Sequence, residues 1–348
     1  MLADLALVGF GNVGRRFARL VEERRDQLTR DYDLTCRVVG IATRRHGAVL
    51  NRDGIDASGA AQLIEAGGGL NELDTYTSVG SHDVIDALST SSAPIRVLVE
   101  TTTLDIEAAQ PALEHVRRAL DAGHHVVTAN KGPVAFAYRE LADLAALRGV
   151  SFLFEGAVMD GVPVFNLVRE TMPTVRIEGF RGVVNSTTNH ILTALEAGDE
   201  YAPALAQMQA QGIAEADPSL DVEGWDAAAK ASTLANVLLD AGITPHDVDR
   251  NGVGPMTAAW ARDAMGRGNR VRLVASARRG ERPVVAPVEL PSNDLLAGLR
   301  GMANALILET DTLGRVVISQ LDGGLTHTAY ALLSDLVAVR RRTIGVRP

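Results

Sequence analysis

An acidic segment followed by a lysine is the part of this sequence best equipped for chemistry. Five carboxylates lie within twelve residues, and Lys230 follows one helical turn later. Asp226 and Lys230 are four residues apart on a predicted alanine-rich helix, so their side chains share one face. A helix entrance lined with carboxylates, with an ammonium one turn inside, is suited to binding a small zwitterion. The five carboxylates are Glu215, Asp217, Asp221, Glu223 and Asp226.

The elements around this segment bear on whether it is a binding site or a solvated acidic loop, which would have the same composition. Asp217-Pro218 forces an extended or turn conformation, and Gly224 breaks the chain again. Acidic residues then stand at the start of the helix, where the helix dipole favours negative charge. This regularity favours a rigid binding site, whereas charge density alone leaves both interpretations open.

Composition excludes several function classes. The 348 residues are 46% hydrophobic and 22% charged, with a net charge of −9, and the chain is long enough for two domains. No basic patch is interleaved with aromatic residues, which argues against a nucleic-acid partner. The single cysteine, Cys36, excludes an internal disulfide and a cysteine-based metal cluster. With no signal-peptide pattern and no apolar run long enough to span a bilayer, we expect a cytoplasmic protein without a membrane partner.

The N-terminal segment predicts a nucleotide-binding turn. The apolar strand Leu5–Val8 leads directly into GFGNVG, and a helical pattern follows. Glycines let such a turn approach a pyrophosphate, whose charge the helix N-terminus stabilises. Because the motif follows the first strand, it indicates a Rossmann dinucleotide-binding domain rather than a plain tight turn. The predicted cofactor-binding residues are Gly9, Phe10, Gly11, Asn12, Val13 and Gly14.

Two arginines bear on the choice of cofactor. After the predicted strand Arg37–Ala42, where an acidic residue would bind the ribose hydroxyls of NAD, the chain reads Thr43-Arg44-Arg45. Arginines at this position can pair with the 2′-phosphate of NADP. We therefore predict NADP, with NAD as the alternative; an ordinary exposed arginine pair would give the same pattern.

Two further predicted strands end in polar residues that we expect at the cofactor crevice, since ligands of open parallel sheets lie beyond the carboxyl ends of strands. Arg96–Val99 ends in ETTT, whose threonine hydroxyls are candidate cofactor contacts; the alternative is a set of caps for a helix beginning near Asp105. His124–Thr128 ends in ANKGP, which predicts Lys131 in the crevice, fixed by a Gly-Pro turn. The alternative for this lysine is an ordinary surface position.

From Ser151 onward the pattern changes to that of an α+β domain. An elbow from Glu155 to Val162 offers a carboxylate and several carbonyls to a hard cation, although turn formation explains most of the pattern. The histidines are scattered, so we predict no zinc site. Four short strands predict a second sheet: Val271–Ala277, Val284–Val288, Ala305–Glu309 and Val316–Ser319.

Several of these motifs together resemble homoserine dehydrogenase, the NAD(P)-dependent enzyme of the aspartate pathway. They are GFGNVG, TANK, EGAVMDGVP, VVNSTTNHIL, GIAEADPSLDVEGWDAAAK and the glycine turn before Thr328, in the family's order and over nearly the whole chain. The acidic block is the specific one, because many dehydrogenases share the glycine motif. The resemblance implies reversible NAD(P)H-dependent reduction of L-aspartate 4-semialdehyde to L-homoserine, a step toward threonine and methionine.

The resemblance also implies roles for individual residues. Lys131 and Lys230 would flank the reacting carbon, with Lys230 preferred as the residue that passes the proton and Asp226 beside it. Glu215, Asp221 and Asp226 would hold the ammonium and hydroxyl of the substrate. The other implied contacts are Thr102 and Gly324 for the cofactor, and Glu155, Val158, Asp160 and Val162 for a monovalent cation such as Na⁺.

This sequence departs from the family pattern at a few positions near the predicted cleft. They are Gly132-Pro133, Ser186, Met159-Asp160 and the final motif Asp322-Gly323-Gly324. These changes leave two rivals open: an NADP-dependent reductase of a different small amino or hydroxy aldehyde, and a non-catalytic NADPH-binding regulator.

The expected fold class is α/β, with two domains. We predict a Rossmann NAD(P)-binding domain from residues 1–133 and 322–348, and an α+β substrate and dimerisation domain from residues 134–321. The resemblance implies a homodimer. Since the sequence stops soon after its last predicted helix, we expect no regulatory C-terminal domain.

Overall fold

The protein folds into two compact units, which are described one at a time. The computed structural model describes residues 1–73, 79–210 and 218–343. The first unit comprises Met1–Glu170 and Gly324–Pro348, and the second comprises Thr171–Gly323. Residues 134–170, which the sequence prediction assigns to the second domain, thus belong to the first unit. The reason is that they add a strand to the sheet of that unit and contain most of a helix that packs against one of its helices.

The first unit is built on a sheet of six strands. In chain order these are β1 (Leu2–Val8), β2 (Thr35–Ala42), β3 (Ala48–Leu50), β4 (Ile95–Glu100), β5 (His125–Thr128) and β6 (Phe152–Leu153). Their order across the sheet is β3-β2-β1-β4-β5-β6, and all but β3 run parallel. The chain leaves β1 toward β2 and later returns to its other side as β4. The carboxyl ends of β1 and β4 therefore border the crevice where such sheets bind ligands.

Helices connect these strands because parallel neighbours need crossover connections. They are α1 (Asn12–Glu23), α2 (Arg25–Tyr32), α3 (Ala57–Glu65), α4 (Ser81–Asp86), α5 (Ala112–Asp121), α6 (Lys131–Arg148), α7 (Val164–Thr171) and a C-terminal helix (Leu325–Thr343). The C-terminal helix packs against α1, and its residues Leu332, Leu336 and Val339 are fully buried. Their spacing of three to four residues places them on one helical face, which is why this segment folds back onto the first unit.

The second unit contains a mostly antiparallel sheet. Its strands are β7 (Ile177–Val183), β8 (Asp249–Arg250), β9 (Asn269–Arg278), β10 (Val284–Pro291), β11 (Asn304–Thr310) and β12 (Gly314–Gln320). Across the sheet they follow the order β12-β11-β7-β9-β10-β8, with β8 and β10 parallel and the other pairs antiparallel. The four strands predicted in this half of the chain correspond to β9 to β12. The predicted second sheet and the α/β fold class are confirmed.

The second unit also contains α-helices. They are α8 (Ser186–Glu196), α9 (Tyr201–Ala210), α10 (Ser219–Val222), α11 (Trp225–Leu238) and α12 (Pro255–Gly266). Both α8 and α11 pack against β9. The side chains of Ala227, Ala228 and Ala231 on α11 are buried and small, so this helix lies close to its neighbours. Within the three described ranges, no helix is long and apolar enough to cross a membrane.

Candidate active site

The glycine turn after β1 contains three motif glycines that are there for two different reasons. Gly9 has a φ of +89°, and a Cβ added to it would lie 2.3 Å from the backbone nitrogen of Thr102. A Cβ on Gly14 would lie 2.7 Å from the carbonyl oxygen of Gly9. Packing within the protein therefore requires both glycines. At Gly11, by contrast, an added Cβ would meet nothing within 4 Å, so glycine there keeps space open above the backbone.

The N-terminus of α1 opens onto this turn without a side-chain cap. Its first backbone N–H groups are therefore available to an anion, which the helix dipole also favours. Phe10 is 2% exposed and its side chain packs in the core, whereas Asn12 is exposed and Val13 is half-buried. Arg15 stabilises the turn by donating to the carbonyl oxygen of Phe10 at 3.2 Å and to Asn12 Oδ1 at 2.7 Å. The sequence analysis missed Arg15, because no motif marks its position.

The predicted arginine pair lies on a tight turn after β2. The Thr43 N–H donates to the carbonyl oxygen of Gly47 at 2.9 Å, and the His46 N–H donates to Thr43 Oγ1 at 2.7 Å. Arg44 and Arg45 are both exposed on this turn. Two guanidinium groups therefore follow the carboxyl end of the second parallel strand, where folds of this topology bind the ribose end of a dinucleotide.

Hydrogen bonds to the glycine turn and to the end of β4 fix the residues that follow β4, and no helix begins there. The Thr101 hydroxyl donates to the carbonyl oxygen of Gly9, which joins the end of β4 to the glycine turn. The Thr102 N–H donates to Glu100 Oε1 at 2.9 Å. The alternative interpretation, that a threonine here caps a helix beginning near Asp105, is wrong. The carboxylate of Asp105 instead accepts three backbone N–H groups of the turn that follows it, and α5 begins only after that turn.

Lys131 is the first residue of α6 and is half-buried. Asn130 caps this helix, since its Oδ1 accepts the Gly132 N–H at 2.9 Å. The predicted Gly-Pro turn is wrong, because Gly132 and Pro133 lie in the first helical turn. Proline is tolerated there because the N–H that it lacks would have no partner within the helix. The cap therefore fixes the backbone of Lys131 just beyond the carboxyl end of β5.

The elbow proposed as a cation site precedes α7, and its glutamate bonds to the first turn of that helix. Glu155 is 3% exposed, and its carboxylate accepts the backbone N–H groups of Phe165 at 2.8 Å and Asn166 at 2.7 Å, in the first turn of α7. Burial raises the pKa of Glu155, and these hydrogen bonds act in the opposite direction. Among the residues that the structure describes, no group of three or more His, Cys, Asp or Glu side chains could hold a metal ion. A monovalent cation at Glu155, Val158, Asp160 and Val162 stays a prediction.

The same elbow is attached to the start of the C-terminal helix. Asp160, with a φ of +47°, accepts the Gly324 N–H at 3.3 Å and the Thr328 hydroxyl at 3.0 Å. A Cβ on Gly161 would lie 2.6 Å from the carbonyl oxygen of His327. The fold therefore fixes Gly324, a predicted cofactor contact, against the elbow.

Four side chains of the second unit form what we call the Lys230 cluster: Asn185, Asp221, Asp226 and Lys230. Asn185 Nδ2 donates to Asp221 Oδ1 at 2.7 Å and to Asp226 Oδ2 at 2.8 Å. Lys230 Nζ lies 3.0 Å from Asp226 Oδ2 and donates to the carbonyl oxygen of Val184 at 2.7 Å. Three residues that the sequence analysis selected, Asp221, Asp226 and Lys230, are thus brought together.

The Lys230 cluster holds two carboxylates close to one ammonium. Burial raises the pKa of Asp221, and the negative charge of Asp226 raises it further. The Lys230 and Asp226 side chains are 16% and 15% exposed. Asn185 was not predicted as a site residue; it caps α8, since its Oδ1 accepts the Thr188 N–H at 2.8 Å. Glu215, a predicted substrate ligand, lies outside the described residues.

The use of lysine in this chain is a signal that the sequence analysis did not exploit. Of the 34 lysine and arginine residues, only Lys131 and Lys230 are lysines. Arginine stays protonated in proteins, whereas the environment can tune a lysine to gain and lose its proton. The chain therefore has lysine at the two positions where proton chemistry was predicted, and arginine at its other cationic positions.

Comparison with known proteins identifies the family. The family model described as homoserine dehydrogenase matches residues 163–337, and the model of the homoserine dehydrogenase NAD-binding domain matches residues 9–155. The NAD(+)-dependent homoserine dehydrogenase of Pseudomonas canavaninivorans is 38% identical over 341 residues, which cover 97% of this chain and 96% of the relative. The chain belongs to the homoserine dehydrogenase family. Members of this family are NAD(P)-dependent oxidoreductases that act on CH–OH groups.

Further homoserine dehydrogenases agree with this assignment in sequence and in fold. The enzyme of Methanocaldococcus jannaschii is 34% identical over 98% of this chain and 99% of its own. A hyperthermophilic archaeal homoserine dehydrogenase in complex with NADPH superposes with a TM-score of 0.81 at 30% identity, covering 98% of both chains. The homoserine dehydrogenase of Thiobacillus denitrificans has a TM-score of 0.82 at 30% identity, covering 99% of this chain and 75% of that one.

The NAD-binding match of this homoserine dehydrogenase family member, over residues 9–155, covers the glycine turn and the strands β2 to β6. A dinucleotide fits the residues present there, because the open space at Gly11 admits a pyrophosphate and the uncapped start of α1 offers it N–H donors. The Rossmann prediction is confirmed.

Proposed function

We propose that this protein interconverts L-aspartate 4-semialdehyde and L-homoserine with a nicotinamide cofactor. Membership of the homoserine dehydrogenase family supports this proposal. The observation that carries it is the position of the Lys230 ammonium, 3.0 Å from the Asp226 carboxylate and 2.7 Å from the carbonyl oxygen of Val184. An amino acid with a reacting oxygen at C4 suits such a cluster. Carboxylates can bind its ammonium group, and a lysine can exchange a proton with its C4 oxygen.

The chemistry needs one hydride and one proton. A nicotinamide cofactor supplies the hydride to C4 of the substrate, or accepts it from that carbon. Lys230 moves the proton: its ammonium donates to the aldehyde oxygen during reduction, and the neutral amine takes the proton back during oxidation. Asp226 orients the amine of Lys230, and Asp221 with Glu215 binds the substrate ammonium. We also propose a catalytic role for Lys131, just beyond the carboxyl end of β5.

For the cofactor we propose NADP, with NAD as the alternative. The proposal is supported by Arg44 and Arg45, whose exposed guanidinium groups can bind a 2′-phosphate in a bidentate manner. The relatives include both cases, since the Pseudomonas enzyme is named as NAD(+)-dependent and the archaeal enzyme was solved with NADPH. The arginine pair is therefore the feature of this chain that favours NADP.

We further propose that the first unit binds the cofactor, and that the second unit binds the substrate and pairs with a second copy in a homodimer. The two family matches, over residues 9–155 and 163–337, support this division of roles. A role in threonine and methionine biosynthesis and a Na⁺ ion at the elbow are proposals that the resemblance implies, and a cytoplasmic location is a proposal from the sequence pattern.

The departures from the family pattern have explanations in the packing of the protein. Ser186 donates to the carbonyl oxygen of Met302 at 3.1 Å and accepts from Asn304 Nδ2 at 2.8 Å, so it fastens the start of α8 within the second unit. Met159 is 1% exposed and Asp160 is bonded to the C-terminal helix. These roles are structural, and they give no support to a different substrate.

The test is oxidation of NADPH and of NADH by the purified protein with L-aspartate 4-semialdehyde, followed by absorbance. We expect faster turnover with NADPH than with NADH. Turnover of another small amino or hydroxy aldehyde, but not of this one, would contradict the substrate. Tight NADPH binding without turnover of any semialdehyde would instead support a non-catalytic regulator.

A further inference from the structure

A fully buried glutamate lies at the cofactor crevice without an assigned role. Glu100 is the last residue of β4 and is 0% exposed. It belongs to what we call the Glu100 cluster: Glu100, Thr102, Thr128 and Asn130. Its carboxyl group accepts the backbone N–H and the hydroxyl of Thr102 and contacts the hydroxyl of Thr128 and the side chain of Asn130. A buried carboxylate normally requires a cation or several strong donors, so its charge state needs an explanation.

The number of protons in the cluster indicates that Glu100 is neutral. Oε1 accepts both the N–H and the hydroxyl of Thr102. Oε2 lies 3.0 Å from Thr128 Oγ1, which is also 2.9 Å from the carbonyl oxygen of Glu100 and accepts the Asn130 N–H at 2.9 Å. The Thr128 hydroxyl has one hydrogen and cannot make a full hydrogen bond to both oxygens of Glu100. A proton on Oε2 satisfies every contact, because Oε2–H then donates to Thr128 and Thr128 donates to the carbonyl oxygen.

The same cluster holds two segments that border the crevice. Thr102, a predicted cofactor contact, is fixed by Glu100 on one side and by Asn130 Nδ2, 3.1 Å from its carbonyl oxygen, on the other. Asn130 in turn caps α6, whose first residue is Lys131. A change at Glu100 therefore reaches both the loop after β4 and the start of α6.

We propose that Glu100 is a positioning residue that acts as a neutral carboxylic acid, holding Thr102 and the start of α6 in the geometry that binds the nicotinamide cofactor. This inference rests on the proposed function, since it concerns the cofactor of that reaction. Burial raises the pKa of Glu100 to about 7, against the hydrogen bonds from Thr102 and Thr128 that lower it. This direction agrees with the proton count.

A matched control lies near the amino ends of the strands of the same sheet. Asp4, near the start of β1, is also a buried carboxyl group at 1% exposure. It pairs with both Nε and Nη2 of Arg37, at 2.8 and 2.9 Å, and accepts the Ser91 hydroxyl. Asp4 is thus a carboxylate with a cationic partner, distant along the strands from the carboxyl ends that form the crevice. Its loss affects the stability of the same sheet without affecting the cofactor site.

The experiment measures the Kd for NADPH by fluorescence, together with the KM for NADPH and kcat. It is done at about pH 6, where Glu100 is protonated. Glu100→Gln, which supplies an N–H to Thr128 and an oxygen to Thr102, should retain Kd and KM within about twofold. Glu100→Leu should raise both by about tenfold or more. Asp4→Asn should lower the thermal midpoint and leave Kd unchanged. Thr128→Val, which keeps the shape but removes the hydroxyl, should resemble Glu100→Leu and replaces it if that variant does not fold.

Two results would overturn the proposal: a Glu100→Gln variant as impaired as Glu100→Leu, which would mean an ionised carboxylate, or an unchanged Kd for NADPH in both Glu100→Leu and Thr128→Val. Because NADPH binding is measured without substrate, this outcome is independent of whether the wild-type protein reduces L-aspartate 4-semialdehyde. Failure of the proposed function and failure of the positioning role are therefore distinguishable.

Discussion

The Glu100 cluster of the first unit and the Lys230 cluster of the second unit use acidic side chains in opposite ways. Glu100 is 0% exposed and is surrounded by hydroxyls and an amide. In the Lys230 cluster, two carboxylates lie beside an ammonium, and Lys230 and Asp226 are 16% and 15% exposed. The carboxyl group of Glu100 is enclosed by uncharged donors, whereas the acids of the Lys230 cluster lie beside an ammonium group in a partly exposed site.

This difference distinguishes a side chain that positions neighbouring segments from side chains that take part in the reaction. A neutral acid in a dry site makes directional hydrogen bonds without the desolvation cost of a buried charge, so it is suited to holding loops in place. A proton donor has to meet the substrate and exchange its proton, so it must stay accessible and charged. The predictions below test this contrast in order of decreasing effect.

The largest effect is expected at Lys230. Replacing it by alanine removes the proposed proton donor, and kcat should fall by about 10² to 10⁴-fold, measured with NADPH and L-aspartate 4-semialdehyde. Lys230→Arg keeps a positive charge beside Asp226 but cannot release a proton readily, so it should also be strongly impaired. Circular dichroism should show that both variants remain folded. Near-normal turnover of Lys230→Ala would remove this residue from the mechanism.

The second prediction concerns how Glu100 makes the stability of the folded protein depend on pH. Because its pKa is raised from 4.5 to about 7, the folded state binds the proton more tightly, and this stabilisation is full below about pH 4.5 and is lost as the pH rises through 7. The shift corresponds to roughly 3 kcal/mol. Urea unfolding of the wild type and of Glu100→Gln should give free energies of unfolding whose difference changes by up to this amount. A difference that stays constant over this pH range would show that Glu100 does not titrate as described.

Asp221 should affect substrate binding more than turnover. Asp221→Asn removes one charge from the Lys230 cluster, and the loss of a hydrogen bond to the substrate ammonium, about 1.5–3 kcal/mol, should raise the KM of the amino substrate about ten- to a hundredfold. Glu223→Gln is the matched control, since Glu223 is an exposed acid of the same segment. Its KM should change less than about twofold. Equal effects of the two substitutions would indicate a general electrostatic field rather than a binding contact.

The smallest effect is expected at the exposed arginine pair, which belongs to neither cluster. Removing both Arg44 and Arg45 should raise the KM for NADPH about tenfold and leave that for NADH nearly unchanged, because only NADPH carries the 2′-phosphate. Arg52→Ala provides the control, as Arg52 is exposed on the turn after β3. A parallel loss with both cofactors would argue against selection by these arginines.

The fold was largely predictable from local patterns, because each pattern has a local physical cause. The glycine turn, the apolar parallel strands and the strands β9 to β12 all follow from residues close together in sequence. The start of α6 was mispredicted because the cap at Asn130 outweighs the turn preference of Gly132-Pro133.

The candidate site was predictable only in part, because its contacts join distant parts of the chain. Asp226 and Lys230 were found from their spacing on one helix. Asn185 was not, since it meets Asp221 and Asp226 from another helix, 36 and 41 residues away. Glu100 was noted as a strand end, but its role depends on Thr128, 28 residues further along. No pattern in the sequence reveals that the carboxyl group of Glu100 lies 3.0 Å from the hydroxyl of Thr128.

The central claim, that Lys230 acts at the substrate site, can be tested on the unaltered protein. The chain has three kinds of amine to label: the N-terminus at Met1, Lys131 and Lys230. Mass spectrometry after limited labelling with an amine-specific reagent follows each one separately. We predict that L-homoserine slows labelling of Lys230 and that NADP⁺ slows labelling of Lys131, each relative to Met1, whose rate corrects for reagent that the amine of L-homoserine consumes. Labelling of Lys230 at the same rate with and without L-homoserine would contradict the account.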